Sequence, residues 1–343
     1  MKKLIFSLFL IPSAFSAQKT VSRDAEIANY VSQVSADSLK SHINKLVSFG
    51  TRHTMSSTTD AKKGIGAARN WVLSKFKNYA KNSDGRMEVF LQSQTIQPDG
   101  KRINQPTDLG NAIAILRGTD PNDKRIFMIG GHLDSRVSDV MNAKDFAPGA
   151  NDDGSGVGAV IESARILSQS KFPATIVFVA FSGEEQGLLG AKMLAEKAKN
   201  ENWQLEALLN NDMVGNNLSS ETNLINANQL RVFSEGLPQF DLDKKAQGIR
   251  NLGLENDGEA RQLARYIKEI GERYVDNLEV KLIYRNDRFL RGGDHTSFVN
   301  QGFSAVRLTE FNENYDHQHQ DIRKENGKQF GDLPEFMDFE YFK

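Results

Sequence analysis

The sequence contains no cysteine among its 343 residues. Disulfide bonds, thiolate zinc sites, iron–sulfur clusters and a cysteine nucleophile are therefore excluded, and a bound metal would need histidine, aspartate or glutamate ligands. The chain also lacks an excess of either charge, because 43 Lys and Arg residues stand against 44 Asp and Glu residues. Without a basic field, the protein is not expected to bind nucleic acid or an anionic membrane surface.

The first residues of the chain show the pattern of a secretory signal peptide. Two lysines precede a short apolar run at residues 4–11, and small residues follow it. The run is too short to span a bilayer comfortably, so we expect cleavage after Ser16 rather than a membrane anchor. Residues 1–16 are thus predicted to be a signal peptide and residues 17–343 a single domain, in a secreted or periplasmic protein.

Apolar segments alternate with amphipathic segments along the rest of the chain. The continuous apolar run from Ile176 to Phe181 predicts a strand that is buried on both faces of a sheet. Other strands are predicted at 87–91, 112–116, 126–129, 205–209, 278–284 and 305–308. Helices with an apolar face are predicted between them, for example at 188–199 and 259–275, whereas 216–258 is interpreted as loop-rich. This order predicts the α/β class, with a mixed, largely parallel central sheet and helices on both faces.

Acidic and histidine side chains follow several of the predicted strands. Glu184 and Glu185 come directly after the central strand, and His132 and Asp134 follow the strand at 126–129. Ligands of open α/β sheets collect at the carboxyl ends of the strands, so these side chains occupy the expected place for chemistry. Because adjacent side chains point in different directions, one glutamate can hold a metal while the other faces a reactant.

Further candidate ligands occur in a glycine-rich loop and near the end of the chain. The loop at 148–158 lacks the lysine and the glycine register of a phosphate-binding loop, which favours a metal over a nucleotide. A single residue of this kind is more often a cap or a loop residue, so the inference depends on the whole set.

Two tetrahedral zinc ions can be held if one carboxylate is shared, and the candidates are His132, Asp152, Glu185, Asp212 and one of His317 or His319. Glu184 would then be the general base that takes a proton from the water between the ions and passes it to the leaving amine.

Four segments resemble the co-catalytic, di-zinc aminopeptidase family that includes bacterial leucyl aminopeptidase. They are GHLDS (131–135), PGANDDGSG (148–156), FSGEEQGLLG (181–190) and NNDMVG (210–215), in this order. The resemblance implies that one zinc is held by His132 and Asp212, and the other by Glu185 and a late histidine. It also implies that Asp152 bridges the two ions and that Glu184 is the base.

The resemblance extends more loosely to the supporting residues and to the end of the chain. It implies that Asp134 supports His132, that the bond between Asp152 and Asp153 is cis, and that Asp294 and His295 support the site without binding metal. The last ligand of the family stands in a His-x-x-x-Asp run, which favours His317 with Asp321 over His319.

The function that the resemblance implies is that of an exported di-zinc metallo-exopeptidase. It would be a monomeric aminopeptidase that hydrolyses the N-terminal peptide bond of substrates with a free N-terminus. A carboxypeptidase of the same family is an alternative, as is a glutaminyl-cyclase-like acyltransferase, although that site does not keep the first histidine and His132 is present. A binding module without metals, as in transferrin-receptor-like ectodomains, is disfavoured by the complete ligand set. The side-chain preference is not readable, because the pocket is expected to be lined from 216–258 and 285–298.

Overall fold

The computed structural model describes residues 22–235, 245–285 and 292–343. The predicted signal peptide at 1–16 lies outside these ranges, as do residues 236–244 and 286–291 of the two segments that we expect to line the pocket. Within the described part of the chain, no helix combines the length and the apolar composition that crossing a membrane requires.

A mixed sheet of eight strands forms the centre of the fold. Its strands are β1 (Met87–Ile96), β2 (Thr107–Leu116), β3 (Arg125–His132), β4 (Thr175–Phe181), β5 (Gln204–Asn211), β6 (Gln229–Phe233), β7 (Glu279–Ile283) and β8 (Ala305–Glu310). They lie in the order β1-β2-β4-β3-β5-β8-β6-β7. The four neighbours β4, β3, β5 and β8 are parallel, whereas β1 with β2, β2 with β4 and β6 with β8 are antiparallel. A separate ribbon pairs β9 (Arg323–Glu325) with β10 (Lys328–Phe330).

Helices cover both faces of the sheet, and the predicted fold class is confirmed. They are α1 (Ala25–Ser32), α2 (Ala36–Val47), α3 (Gly64–Ala80), α4 (Gly154–Leu167), α5 (Leu189–Asn200), α6 (Lys245–Leu252), α7 (Glu259–Tyr274), α8 (Asp294–Asn300) and α9 (Phe339–Phe342). Helix α2 begins with Ser35 as its N-cap, because the side chain of Ser35 accepts a hydrogen bond from the amide of Ser38.

Alternate residues of β4 pack against opposite helical layers. Phe178 and Ala180 belong to the cluster that includes α3 and α4, whereas Val177 and Val179 belong to the cluster that includes α5 and α8. All four side chains are fully buried. A strand with both faces covered cannot alternate with polar residues, which explains the unbroken apolar run in the sequence.

Strand β6 and helix α6 both lie in the segment that the sequence presents as loop-rich, so that interpretation is wrong for residues 229–233 and 245–252. The strand is only five residues long and carries Gln229 and Arg231, which obscure its pattern. Val232 joins a small cluster with Ala264 of α7 and Val280 of β7. The strand is therefore stabilised by long-range pairing and packing, which local sequence does not display.

A buried arginine, Arg52, links the N-terminal layer to the loops at the end of the sheet. Its guanidinium donates to three backbone carbonyl oxygens, those of Leu133 at 2.7 Å, Pro148 at 2.5 Å and Gly149 at 2.8 Å. Burial lowers the pKa of Arg52 to about 10, so the side chain stays charged at neutral pH. The resulting positive charge lies beneath the acidic loops, and nearby carboxylates such as Asp332 and Asp134 attract it.

We expect that Arg52→Met lowers the free energy of unfolding by about 3–5 kcal/mol, because it leaves buried acceptors and carboxylates without their cation. Urea denaturation followed by circular dichroism measures the change. The control is Arg117→Met, which removes the exposed pair with Glu88 and should cost no more than about 1 kcal/mol. Equal denaturation midpoints for the two variants would contradict the stabilising role of Arg52.

Candidate metal centre

The topology brings the predicted ligands to one edge of the sheet. His132 is the last residue of β3, Glu185 follows β4, and Asp212 follows β5. These three strands are parallel neighbours, so their carboxyl ends meet. Asp152 lies two residues before α4, which packs against β3.

Two glycines allow the close approach of α4 to the ends of the strands. A Cβ atom on Gly131 would lie 2.6 Å from the carbonyl carbon of Gly156, and one on Gly156 would lie 2.2 Å from the carbonyl oxygen of Asn211. Side chains at these positions would push the helix away from the sheet. The glycines of the GHLDS and PGANDDGSG segments thus place Asp152 beside His132.

Among the described residues, the predicted ligands form two groups that can each hold a metal ion. One group is His132, Asp152 and Asp212, and the other is Asp152, Glu185 and His319. In the first group, His132 Nε2 lies 3.1 Å from Asp152 Oδ1 and 3.8 Å from Asp212 Oδ1. In the second, His319 Nε2 lies 2.8 Å from Asp152 Oδ2 and 2.7 Å from Glu185 Oε1.

The donor atoms fit a pair of zinc ions. Ligand atoms around a tetrahedral ion with bonds of about 2.0 Å lie roughly 3.3 Å apart, which is close to the spacing within both groups. Asp152 directs Oδ1 to one group and Oδ2 to the other. A single carboxylate can therefore belong to both sites, as a bridging ligand does. Nitrogen and oxygen donors of this kind suit zinc.

The structure places His319 in the site and corrects the preference for His317. The ring of His317 stacks on Phe336 with centroids 3.8 Å apart, and burial lowers its pKa to about 4. Asp321 is the aspartate of the His-x-x-x-Asp run that favoured His317. Its carboxylate accepts hydrogen bonds from the backbone amide and the hydroxyl of Ser138. The motif thus identifies the right segment but the wrong histidine.

The carboxylates and imidazoles of the candidate ligands shift one another's pKa values toward the charged forms. Burial by itself lowers the pKa of His132, but Asp153, Asp152 and Glu184 together raise it well above its ordinary value. In the second group, Glu185 and Asp152 outweigh burial and raise the pKa of His319 to about 10. The imidazoles in turn outweigh burial and lower the pKa of Asp152 well below its ordinary value.

Glu184 belongs to neither donor group but lines the same cavity as the ligands. Burial is the main cause that raises the pKa of Glu184 to about 8, and the carboxylates of Glu185 and Asp212 add to it against the attraction of His132. A carboxyl group with a pKa near neutrality can both accept and release a proton.

Asp134 supports the site in a different way from the one predicted. The Nδ1 atom of His132 lies 3.1 Å from the backbone oxygen of Asp134, and its carboxylate is 3.9 Å away. The carboxylate instead accepts hydrogen bonds from the amides of Gly183, Glu184 and Glu185 at 2.8–3.2 Å. Asp134 therefore fixes the loop that carries the two glutamates.

Two further carboxylates accept hydrogen bonds from the backbone at or next to other candidate ligands. The sequence did not predict this supporting role for either of them. Asp153 accepts from the amides of His132, Gly156 and Met213 at 2.8–3.1 Å. The bond between Asp152 and Asp153 is cis. Asp332 accepts from the amides of Asn151 and Asp152, the latter at 2.7 Å. The adjacent acids of the NDDG segment are a signal for Asp153, whereas nothing around Asp332 in the sequence marks it.

Asp294 and His295 lie beside the site and outside both donor groups. His295 Nε2 is 3.1 Å from Glu235 Oε1, and both side chains are buried. Burial, followed by the nearby charge of Glu184, raises the pKa of Asp294 well above its ordinary value. Neither residue belongs to the two donor groups found among the described residues, and their supporting role stays a prediction.

Comparison with known proteins identifies a family and two relatives that are similar to this chain. Residues 111–333 match peptidase family M28. A probable zinc metalloprotease of Leptosphaeria maculans is 45% identical over 318 residues, which cover 93% of this chain and 73% of the relative. Another from Pyrenophora teres f. teres is 44% identical, covering 93% of this chain and 66% of the relative. The chain thus spans about two thirds to three quarters of these proteins.

Solved structures of low sequence identity share the fold. LapA aminopeptidase of Legionella pneumophila aligns with a TM-score of 0.63 at 20% identity, covering 100% of this chain and 76% of that chain. Glutaminyl cyclase of Porphyromonas gingivalis aligns with a TM-score of 0.59 at 19% identity, covering 90% and 93%.

The match of residues 111–333 includes all five candidate ligands that the structure brings together, from His132 to His319. Relatives above 40% identity extend over nearly the whole chain. The resemblance read from the four segments is confirmed, and the chain belongs to peptidase family M28.

Proposed function

We propose that this protein is an exported di-zinc metallo-exopeptidase that removes residues from the free N-terminus of peptides. The observation that carries the proposal is the position of Asp152, whose two carboxylate oxygens face two separate donor groups. The names of the relatives, probable zinc metalloproteases, support zinc as the ion. The motif resemblance supports the aminopeptidase specificity, and the apolar run and lysines at 1–16 support export.

The residues of the first group would hold one zinc ion and those of the second the other, with Asp152 shared. Bound zinc supplies Lewis acidity, which polarises a peptide carbonyl and makes water easier to deprotonate. The carboxylates of Asp134, Asp153 and Asp332 accept hydrogen bonds from backbone amides of the loops that carry the candidate ligands. These contacts would keep the spacing of the ligand atoms when substrate enters.

Glu184 is the residue that we assign as the general base. It lines the cavity, it is not part of either donor group, and burial raises its pKa to about 8. It would accept a proton from the attacking water and return it to the amine that leaves when the peptide bond breaks. Asp134 holds the amide of Glu184 at 3.2 Å and so fixes where its side chain begins.

Two alternatives use the same fold. The presence of both donor groups favours a two-ion hydrolase over a glutaminyl-cyclase-like acyltransferase, which by family resemblance uses one zinc and lacks the first histidine. A carboxypeptidase would use the same ion pair, so the two exopeptidase specificities are separated by substrates and not by the ligand set.

Peptides with free or blocked ends test the specificity. We expect release of the first residue from a free peptide and no release after N-acetylation, because the proposed enzyme recognises the amino terminus. Mass spectrometry of the products reads the outcome, and a C-terminally amidated peptide serves as the matched control. Release of the last residue from N-acetylated peptides alone would make the protein a carboxypeptidase.

Glu184→Gln is expected to lower kcat by at least about 100-fold, since it removes the group that moves the proton. Elemental analysis should still find the same metal content, because Glu184 is in neither donor group. Glu196→Gln, on the outer face of α5, is the control and should keep full activity. Undiminished turnover in Glu184→Gln would remove the general-base assignment.

Asp152→Ala is expected to reduce the metal content of both sites, because both donor groups lose a ligand. A chelator should abolish the activity of the unaltered protein and lower its unfolding midpoint, and added zinc should restore both, because an ion that binds only the folded state stabilises it. The midpoint of Asp152→Ala should be nearly insensitive to the chelator. Asp276→Ala, on the surface, is the control, and two bound ions in Asp152→Ala would contradict the bridge.

A further inference from the structure

Asp134 binds a fourth hydrogen-bond donor besides the three amides of the loop with Glu184 and Glu185. The hydroxyl of Thr54 lies 3.2 Å from Asp134 Oδ2, and both side chains are buried. The amide of Glu185 donates to the same oxygen, whereas the amides of Gly183 and Glu184 donate to Oδ1. An ionised carboxylate offers about four acceptor sites, two on each oxygen, so these four donors fill them.

Thr54 is the donor that ties this carboxylate to a distant part of the chain. The three amides belong to the loop that Asp134 holds, and the aspartate torsion next to the carboxylate has broad minima. Without a donor from elsewhere, the carboxylate can therefore rotate together with the loop. The Thr54 hydroxyl has a single proton and also contacts Gln186 Oε1, but a charged carboxylate binds a donor more strongly than a neutral amide oxygen does. The hydroxyl proton is therefore directed to Asp134.

The segment around Thr54 is itself held in place, which makes the hydroxyl a fixed point. Arg52, two residues earlier, is bound to three backbone carbonyl oxygens. His53 Nδ1 accepts a hydrogen bond from the amide of Met55 at 3.1 Å, so the ring proton is on Nε2, which lies 2.9 Å from the carbonyl oxygen of Val140. Because the neighbours on both sides of Thr54 are buried and bonded, its hydroxyl is confined to one position.

Thr54 can act on the two glutamates but not on a substrate. Glu184 and Glu185 line the cavity at the metal centre, whereas Thr54 is not among the described residues that line it. The hydrogen bond from the amide of Glu184 to Asp134 is 3.2 Å long, which is near the upper end of the range for such bonds, so a rotation of the carboxylate would break it. The same rotation would release the amide of Glu185, which shares Oδ2 with Thr54. Both glutamate side chains would then begin from a shifted backbone.

We propose that Thr54 is a positioning residue of the proposed exopeptidase. Its hydroxyl fixes the orientation of the Asp134 carboxylate, and through Asp134 it sets the directions in which the side chains of Glu184 and Glu185 leave their loop. Glu184 is thereby directed at the attacking water, and Glu185 at the second donor group. A misplacement of about 1 Å can lower turnover by roughly 100-fold, so the effect on rate is measurable. The inference rests on the proposed function, because it takes Glu184 as the general base.

Thr54→Val keeps the shape of the side chain and removes the hydroxyl, and it is expected to lower kcat by at least about tenfold. KM should change by less than about twofold, since Thr54 does not touch the substrate. Thr54→Ser keeps a hydroxyl and should retain kcat within about threefold of the unaltered protein. The rates are measured with free-N-terminus peptides at saturating zinc, so that incomplete occupancy does not contribute. Equal kcat values for Thr54→Val and Thr54→Ser would overturn the role of the hydroxyl.

A double-mutant cycle with Glu184→Gln separates positioning from a general loss of structure. In the Glu184→Gln background, Thr54→Val should lower the residual kcat by less than about twofold, because the group that Thr54 positions is already absent. A residue that acts only on the stability of the fold would lower kcat by the same factor in both backgrounds. Equal factors would therefore overturn the proposal.

Thr107→Val is the matched control, because Thr107 is also buried and its hydroxyl donates to one backbone oxygen, that of Gln105, at 2.9 Å. Its kcat should stay within about twofold of the unaltered protein. A tenfold loss in this control as well would mean that any buried hydroxyl has the effect, and would overturn the specific role of Thr54. If circular dichroism shows that Thr54→Val does not fold, Thr54→Ala removes the hydroxyl without placing a methyl group against the carboxylate and replaces it in every comparison.

The two proposals fail in different ways. If the peptides are cleaved but Thr54→Val has the same effect in both backgrounds, the exopeptidase stands and Thr54 has no positioning role. If no peptide is cleaved, the proposed function fails, and calorimetric titration with zinc alone tests Thr54. One of the two zinc sites should then be weakened by at least about tenfold in Thr54→Val and restored in Thr54→Ser, since Glu185 is a candidate ligand. Unchanged zinc affinity at both sites would overturn the positioning of the loop.

Discussion

Hydrogen bonds from backbone amides to three buried carboxylates are the interactions on which the centre depends. Asp134 holds the loop with Glu184 and Glu185, Asp153 joins the end of β3 to the residue after Asp212, and Asp332 holds the amide of Asp152. Carboxylates that accept several amide hydrogen bonds stabilise a loop in one conformation. The sheet brings the ends of β3, β4 and β5 together, and these hydrogen bonds fix the loops that carry the other candidate ligands around His132.

This arrangement concentrates negative charge, and the rest of the structure compensates for it. Arg52 places a buried cation beneath the loops, and the imidazoles of His132 and His319 lie among the ligand carboxylates. Arg136 and Arg307 contact ligand carboxylates from the cavity side. Buried charges are tolerated only when they are paired or bind metals, so the same requirement explains the supporting arginines and the fit to divalent ions.

Much of the fold and of the ligand set is predictable because the signals are local. A run such as 176–181 followed by glycine and acids indicates a buried strand and a functional strand end, and small residues before α4 indicate a close approach. Strand β6 is not predictable in this way, since its stability comes from β8, β7 and α7, which are distant in sequence. The supporting role of Asp332 is equally invisible, because a lone aspartate in a tail is usually a turn residue.

The sequence by itself determined the fold class, the family and the types of side chain at the strand ends, because each follows from local patterns and from their order along the chain. Only the tertiary structure decided between His317 and His319, which are two residues apart and share the same local context. Packing of His317 on Phe336 turns that ring away, and the backbone at His319, with φ of 57°, directs its imidazole to Asp152 and Glu185. The role of Asp134 was likewise decided by which amides came within reach of its carboxylate after the strands had assembled.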